Sequence, residues 1–217
     1  MNMERKVRLF DMNGTIRDDF LAVFKSVNDV LRHYGMVSLA VQRYRELARP
    51  DYWVIYRELG LPDSERLNVD RLFAQFFERY ADQTRVFPDV LQTVRKLKER
   101  GIVTGVVSNL TRSSLGQHIN EYGLNGLFEV AVCREDTEET KPSPEPLLVA
   151  FRRLGIPPEQ GSYVGDQTWD ILAARSAGTS PVAISRSGSY HSRRMLESAK
   201  PDKIIGKLST LLYLDAR

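Results

Sequence analysis

Asp11 closes the apolar run Val7-Arg8-Leu9-Phe10 and is followed by Met12-Asn13-Gly14-Thr15, a sequence that turns sharply. A carboxylate exposed at such a strand end can attack phosphorus and form an aspartyl-phosphate that water later removes. Its ordinary use is to cap a turn or a helix. Ser108-Asn109 ends a second apolar run, and a hydroxyl beside the fresh N–H groups of a helix start suits a phosphate oxygen, although an N-cap is the commoner reading. Lys141 follows Glu135-Asp136-Thr137-Glu138-Glu139-Thr140, so it is either one member of a solvated charge run or a cation that offsets charge on a nucleophile and a transferring phosphoryl group. In Gly165-Asp166-Gln167-Thr168-Trp169-Asp170 two carboxylates stand four apart, one at a strand end and one on the opening turn of the next helix. Oxygen ligands with no His or Cys nearby favour a hard cation, and phosphate chemistry makes Mg²⁺ the natural choice. Against this, Asp170 in that place also serves simply to cap its helix and counter the dipole.

Something must bring these four stretches together. Val7 to Phe10, Ile102 to Val107, Val130 to Cys133, Tyr163-Val164 and Val182 to Ile184 read as five short buried strands. Helical patterns alternate with them: Leu91, Val94 and Leu97 before Gly101; Leu115 and Ile119 before Gly123; Leu147 to Leu154 before Gly155; and Ile171 to Ala177 before Gly178. That alternation predicts an α/β fold with right-handed crossovers and a mostly parallel, doubly wound sheet, whose chemistry lies at the carboxyl ends of the strands. Residues 17–86 break the rhythm with three helix-length segments, near Phe20 to Tyr34, Leu39 to Leu59 and Val69 to Ala81, and no good strand. Seventy residues without a strand are too many for a loop and imply an inserted all-helical domain. The expected division is therefore a core formed by 1–16 and 87–217 and a helical cap formed by 17–86. The stripe Leu72, Phe73, Phe76, Phe77, Tyr80 is expected to be helix-on-helix core, not ligand surface.

The chain has 217 residues with 31 basic against 28 acidic side chains, interleaved and not massed, so nucleic-acid binding is not indicated and a small anionic substrate suits it better. A single cysteine, Cys133, excludes an internal disulfide and a Cys cluster for zinc. No apolar run approaches the roughly 18 residues needed to span a bilayer, and the start Met1-Asn2-Met3-Glu4-Arg5-Lys6 leads directly into a strand, so cytoplasmic residence without a membrane partner is expected, as monomer or homodimer.

Order and spacing of the four motifs resemble the haloacid dehalogenase (HAD) superfamily, mostly Mg²⁺-dependent phosphatases and phosphotransferases. The resemblance covers Val7 to Asp18 and about Phe87 to Leu212, with the helical insertion where that family carries its cap. Lys141-Pro142-Ser143-Pro144-Glu145-Pro146 and Tyr163-Val164-Gly165-Asp166 are similar to the phosphoglycolate phosphatase and β-phosphoglucomutase branch. The resemblance implies that Asp11 is the nucleophile, that Ser108 and the Asn109 backbone hold phosphoryl oxygens, and that Lys141 steadies charge. It also implies that Asp166 binds Mg²⁺ with Asp11 and the main-chain carbonyl of Asn13, that Asp170 supports this shell, and that Thr15 helps fix the loop beside the substrate. His33, His118 and His191 match no motif and are expected to be surface or packing residues.

The chain departs from the family at one position. Where residue 13 would be Asp, protonating the leaving oxygen and then activating water, Asn13 can do neither. Acid–base help worth roughly 10²–10⁴ in rate is lost there. A slow enzyme or one with an unusual leaving group, a phosphate-binding relative without catalysis, and an engineered substitution all fit this. Asp18 and Asp19 are the nearest substitutes, but they fall several residues on, and rescue by them is not expected. The expected function is a phosphatase acting on a small phosphorylated metabolite. The alternatives are a non-catalytic phosphate-binding or regulatory protein and a sugar-phosphate phosphotransferase, with a dehalogenase behind them.

Overall fold

A computed structural model describes residues 6–214; residues 1–5 and 215–217 of the expected core lie outside them. The described residues form eight strands: β1 (Val7–Phe10), β2 (Arg17–Asp18), β3 (Arg85–Val86), β4 (Val103–Val107), β5 (Val130–Val132), β6 (Gly161–Gly165), β7 (Ser180–Ile184) and β8 (Lys203–Ile205). Six of them make one parallel sheet in the order β5-β4-β1-β6-β7-β8. β8 is an addition to the five expected strands, because Lys203-Ile204-Ile205 carries only two apolar residues and joins as an edge.

β1 is the hinge of the arrangement. It bonds β4 on one side and β6 on the other, with Phe10 level with both Val106 and Val164. The chain leaves β1 toward β4 and β5, then crosses back to β6, so the connections diverge at the carboxyl end of β1, where open α/β sheets bind their ligands. Gly105 in β4 keeps this centre tight: a Cβ there would lie 2.5 Å from Val130 and 2.7 Å from Leu9.

The α-helices of the described residues are α1 (Phe20–His33), α2 (Val41–Leu47), α3 (Trp53–Glu58), α4 (Arg66–Glu78), α5 (Val90–Glu99), α6 (Arg112–Glu121), α7 (Glu145–Leu154), α8 (Thr168–Ser176), α9 (Arg193–Ser198) and α10 (Leu211–Leu214). Alternate side chains of the strands serve opposite faces. Phe10, Val106 and Val164 pack with Val94 and Leu97 of α5 and Leu115 of α6, while Leu9, Val107 and Tyr163 pack with Phe151 of α7 and Ala173 of α8. Each such fully buried aliphatic or aromatic side chain contributes roughly 1.5–3 kcal/mol. Helices thus cover both faces of the sheet, as the alternating pattern requires.

Helices α1 to α4 share a separate apolar cluster built on Leu31, Tyr44, Trp53 and Tyr56. The single segment expected from Leu39 to Leu59 is two helices, because Pro50 lacks an N–H and forces Arg49 away from helical backbone. Residues 17–86 are also not strand-free: Arg17–Asp18 and Arg85–Val86 pair antiparallel at their two ends. Two-residue strands leave no alternation for a sequence reading to detect.

Candidate active site

The parallel register decides which residues leave the sheet together. The ladder runs one step past β1, with Asp11 N donating to Val164 O at 2.9 Å, and past β4, with Ser108 N donating to Val132 O at 3.0 Å. Asp11, Ser108 and Asp166 therefore emerge from three neighbouring strands at one edge.

Lys141 reaches this point from the loop after β5 and is buried, against the solvated alternative. Its Nζ donates to Asp11 Oδ1 at 2.7 Å, Asp170 Oδ1 at 2.7 Å and Tyr163 OH at 2.6 Å. Burial opposes its charge, yet Asp11 and Asp170 together hold its pKa above the ordinary lysine value. Tyr163 stood in the sequence as a strand residue and as part of the Tyr163-Val164-Gly165-Asp166 stretch, with no role of its own. Its hydroxyl donates to Val107 O at 2.8 Å and supports the lysine from below.

Asp170 both caps and pairs, so neither sequence reading was complete. One oxygen accepts the Gln167 N–H at 3.0 Å and the other accepts from Lys141. Gly165 is what lets it fold back, since a Cβ on that residue would collide with the Asp170 carboxylate. Burial pushes the pKa of Asp170 up to about 6 against the pull of Lys141.

Asp166 is also buried. Its Oδ2 accepts the Tyr190 N–H at 2.5 Å, whereas its Oδ1 has no hydrogen-bond partner. Burial, with the charges of Asp170 and Asp11, pushes its pKa well up. One oxygen each of Asp11, Asp166 and Asp170 lies within 4.8 Å of the others. Three carboxylates against the single ammonium of Lys141 leave two negative charges uncompensated in a buried place, at several kcal/mol of desolvation each. A hard divalent cation answers both the charge and the orphaned oxygen, so this donor set fits Mg²⁺.

Ser108 is not the cap of α6. Thr111 performs that task by accepting from Ser114 N, leaving the Ser108 hydroxyl only a 3.3 Å bond from Leu110 N. Asn109 is spent on structure: its side-chain amide donates to Lys141 O and accepts from Lys141 N, both at 3.1 Å. The Asn13 Oδ1 is buried and unpartnered. Thr15, expected beside the substrate, is fully buried and absent from the cleft wall; its hydroxyl has no partner and its carbonyl accepts from Arg186. The loop turns inward there because Gly14 takes φ +74°, a conformation glycine adopts freely, and because a side chain on it would strike Asp166.

A cleft of about 580 Å³ opens over Asp11, Asn13, Ser108 and Lys141 and is roofed by α2 to α4. Two expectations change here. Phe73 and Phe77 line this cleft instead of lying wholly within the helical cluster, and so does His118, whose pKa burial and Arg17 push down to about 4, leaving it neutral at pH 7. His33 is exposed, and His191 packs under α8 by accepting from Thr168 N at 3.0 Å. Among the cap arginines Arg49 lines the cleft, Arg45 donates to Ser189 O at 3.0 Å, and Arg43 pairs with Glu46. Sequence reasoning missed Arg17 and Tyr190 in the cleft wall and weighed Asp19 only as an acid set too far along the chain to help; no motif marks the three, since the tertiary fold alone gathers them.

Known proteins resemble this chain in sequence and in fold. Pyrophosphatase PpaX of Bacillus mycoides is 29% identical over 210 residues, 96% of this chain and 96% of that one. Phosphoglycolate phosphatase 1 of Pseudomonas aeruginosa is 28% identical over 215 residues, 94% of this chain and 77% of that one. A haloacid dehalogenase-like family hydrolase from Streptococcus pneumoniae superposes with a TM-score of 0.82 over 97% of this chain and 98% of that one, at 17% identity, which is a likeness of fold. The sequence profile of the haloacid dehalogenase-like hydrolases matches residues 8–184, the span that delivers all four loops to one sheet edge, and the chain belongs to that family of enzymes.

Proposed function

We propose that this chain is a Mg²⁺-dependent phosphatase that hydrolyses a small phosphorylated metabolite through an aspartyl-phosphate on Asp11. The observation that carries the reading is the buried unit of Asp11, Lys141 and Asp170 beside the orphaned oxygen of Asp166. Relatives named for pyrophosphate and phosphoglycolate hydrolysis support the substrate class.

Asp11, held by Lys141 with one oxygen aimed at the cleft, attacks phosphorus in line with the leaving group. Ser108, with its hydroxyl unspent on α6, and the ammonium of Lys141 face the phosphoryl oxygens. Asp11, Asp166 and the Asn13 carbonyl would hold Mg²⁺, with Asp170 behind them, and the ion would supply charge neutralisation for nucleophile and phosphoryl group. Residues 17–86 act as the cap, and α2 to α4 exclude bulk water from the cleft.

The test is phosphate release with Mg²⁺ from an aryl phosphate, pyrophosphate and phosphoglycolate, by the native chain, by Asn13→Asp and by Asp11→Asn. Turnover abolished by Asp11→Asn, with phosphate found covalently on Asp11 in the native chain, supports the reading. Silence from both the native chain and Asn13→Asp overturns it and favours the phosphate-binding alternative that Asn13 suggests.

A further inference from the structure

We infer that Asp19 supplies the proton transfers that Asn13 cannot, acting as general acid to the leaving group and general base to the attacking water. The inference rests on the phosphatase reading and goes beyond it by assigning a catalytic residue at a position the family pattern does not mark.

Asp19 stands immediately before α1, in the N-cap position, where an aspartate ordinarily accepts an N–H of the first turn. It makes no such bond. The residue instead belongs to the wall of the cleft that Asp11 and Asn13 also line, with its side chain buried just beneath that surface. One oxygen accepts from Arg17 Nη1 at 3.2 Å; the other, Oδ1, is buried without a partner. A carboxyl that gives up its cap and keeps one oxygen unsatisfied at the cleft wall has an unexplained cost. A bound leaving-group oxygen or the hydrolytic water removes that cost.

The loop explains how a residue eight positions after the nucleophile reaches it. Met12 O accepts from both Ile16 N and Arg17 N at 2.8 Å, and Gly14 N donates to Arg17 O at 2.7 Å, so the chain doubles back and Arg17 bridges to Asn13. Asp19 is thereby returned to the edge that Asp11 left.

The surroundings suit a group that must both give and take a proton. The charged and titratable groups facing it are Arg17 of β2, Tyr190 after β7, Asp11 after β1, Tyr44 of α2 and Asp166 after β6. Burial raises the Asp19 pKa to about 7 against Arg17 and the Tyr190 hydroxyl, with the Asp11 charge adding to the rise.

The chemistry balances. Asp11 attacks phosphorus while protonated Asp19 gives its proton to the departing oxygen; the ester P–O bond breaks and an Asp11–O–P bond forms. The Asp19 carboxylate then takes a proton from water as the water oxygen attacks phosphorus. The Asp11–O–P bond breaks, inorganic phosphate leaves, and Asp19 is again protonated.

The experiment measures kcat, KM and their pH profiles with Mg²⁺ for the native chain, Asp19→Asn, Asn13→Asp and the double variant, on a nitrophenyl phosphate and an alkyl phosphate. Expected are a fall in kcat of about 10²–10³-fold for Asp19→Asn with KM little changed, and loss of the pH limb that its carboxyl contributes. The fall should be larger for the alkyl substrate, whose poor leaving group needs the acid more, and Asn13→Asp should restore activity in the Asp19→Asn background. Should Asp19→Asn lose its cooperative thermal transition, Asp19→Ser carries the same comparison. The inference is overturned if kcat and its profile are unchanged on removing the Asp19 carboxyl, if the loss is the same for both leaving groups and is not restored by Asn13→Asp, or if only Asn13→Asp is active. Silence from every form, Asn13→Asp included, takes down the phosphatase reading and this inference with it.

Discussion

Asn109 and Lys141 are joined by a reciprocal pair of 3.1 Å hydrogen bonds, side-chain amide to main chain, across 32 residues of sequence. That pair is why the lysine arrives at Asp11 with its extended side chain already aimed. Asn109→Ala leaves a buried main-chain N–H and C=O unpaired, at about 1–3 kcal/mol. The expected outcome is a lower urea midpoint and a larger fall in kcat than in substrate affinity, since Lys141 loses its direction while the cleft keeps its shape.

Lys141 itself holds a buried charge cluster together. Lys141→Met leaves Asp11 and Asp170 without their cation, and removing one partner of a buried pair costs about 3–5 kcal/mol. Lys141→Arg should not restore function, because a planar guanidinium does not fit the space between Asp11, Asp170 and Tyr163 that a compact ammonium fills. Phosphate release and chemical denaturation of both variants check this; full activity in Lys141→Arg contradicts it.

Gly14→Ala tests the loop. At φ +74° a side chain is strained, and here its Cβ also meets the Asp166 carboxylate. The expected loss is about 2 kcal/mol or more of stability, together with weakened Mg²⁺ binding by titration calorimetry. An alanine variant with native melting temperature and native metal affinity would show that the loop is not seated on Asp166.

Metal and pH should act through the same carboxylates. Burial raises the pKa of Asp166 well up, of Asp170 to about 6 and of Asp19 to about 7, so the folded state holds these protons more tightly than the unfolded chain does. Their contribution to stability is full below the ordinary value of 3.8 and is lost as pH rises through about 6 to 7. Mg²⁺ binds the deprotonated oxygens of its own site, so the stabilisation it gives over EDTA, read from melting curves, should grow across that window, reaching about 2.7 kcal/mol at a hundredfold excess over Kd. Asp136 and Glu135 are shifted the other way, but their contribution is common to both scans and cancels in the difference. A Mg²⁺ effect independent of pH between 4 and 8 would exclude Asp166 and Asp170 from the metal site.

The sheet was legible because its strands are short buried runs that stop at a polar residue, and its helices because their apolar spacing ends at a glycine. β2, β3 and β8 were not, because two or three residues carry no alternation, and the Leu39 to Leu59 break needed Pro50 to be weighed above the apolar pattern. Asp11, Ser108, Lys141, Asp166 and Asp170 stood out by type and position, at a strand end, in a loop or on the first turn of a helix.

The sequence alone determined the fold class, the order of the four loops and the loss of a carboxylate at Asn13, since periodicity and residue type are local properties. Tertiary structure decided the rest: that Lys141 is buried on two carboxylates, that Asp166 keeps an empty oxygen, and that Asp19 forgoes its helix cap and joins the cleft wall. Burial and charge compensation depend on what other parts of the chain place nearby, and no spacing along a sequence encodes which side of a doubled-back loop faces the nucleophile.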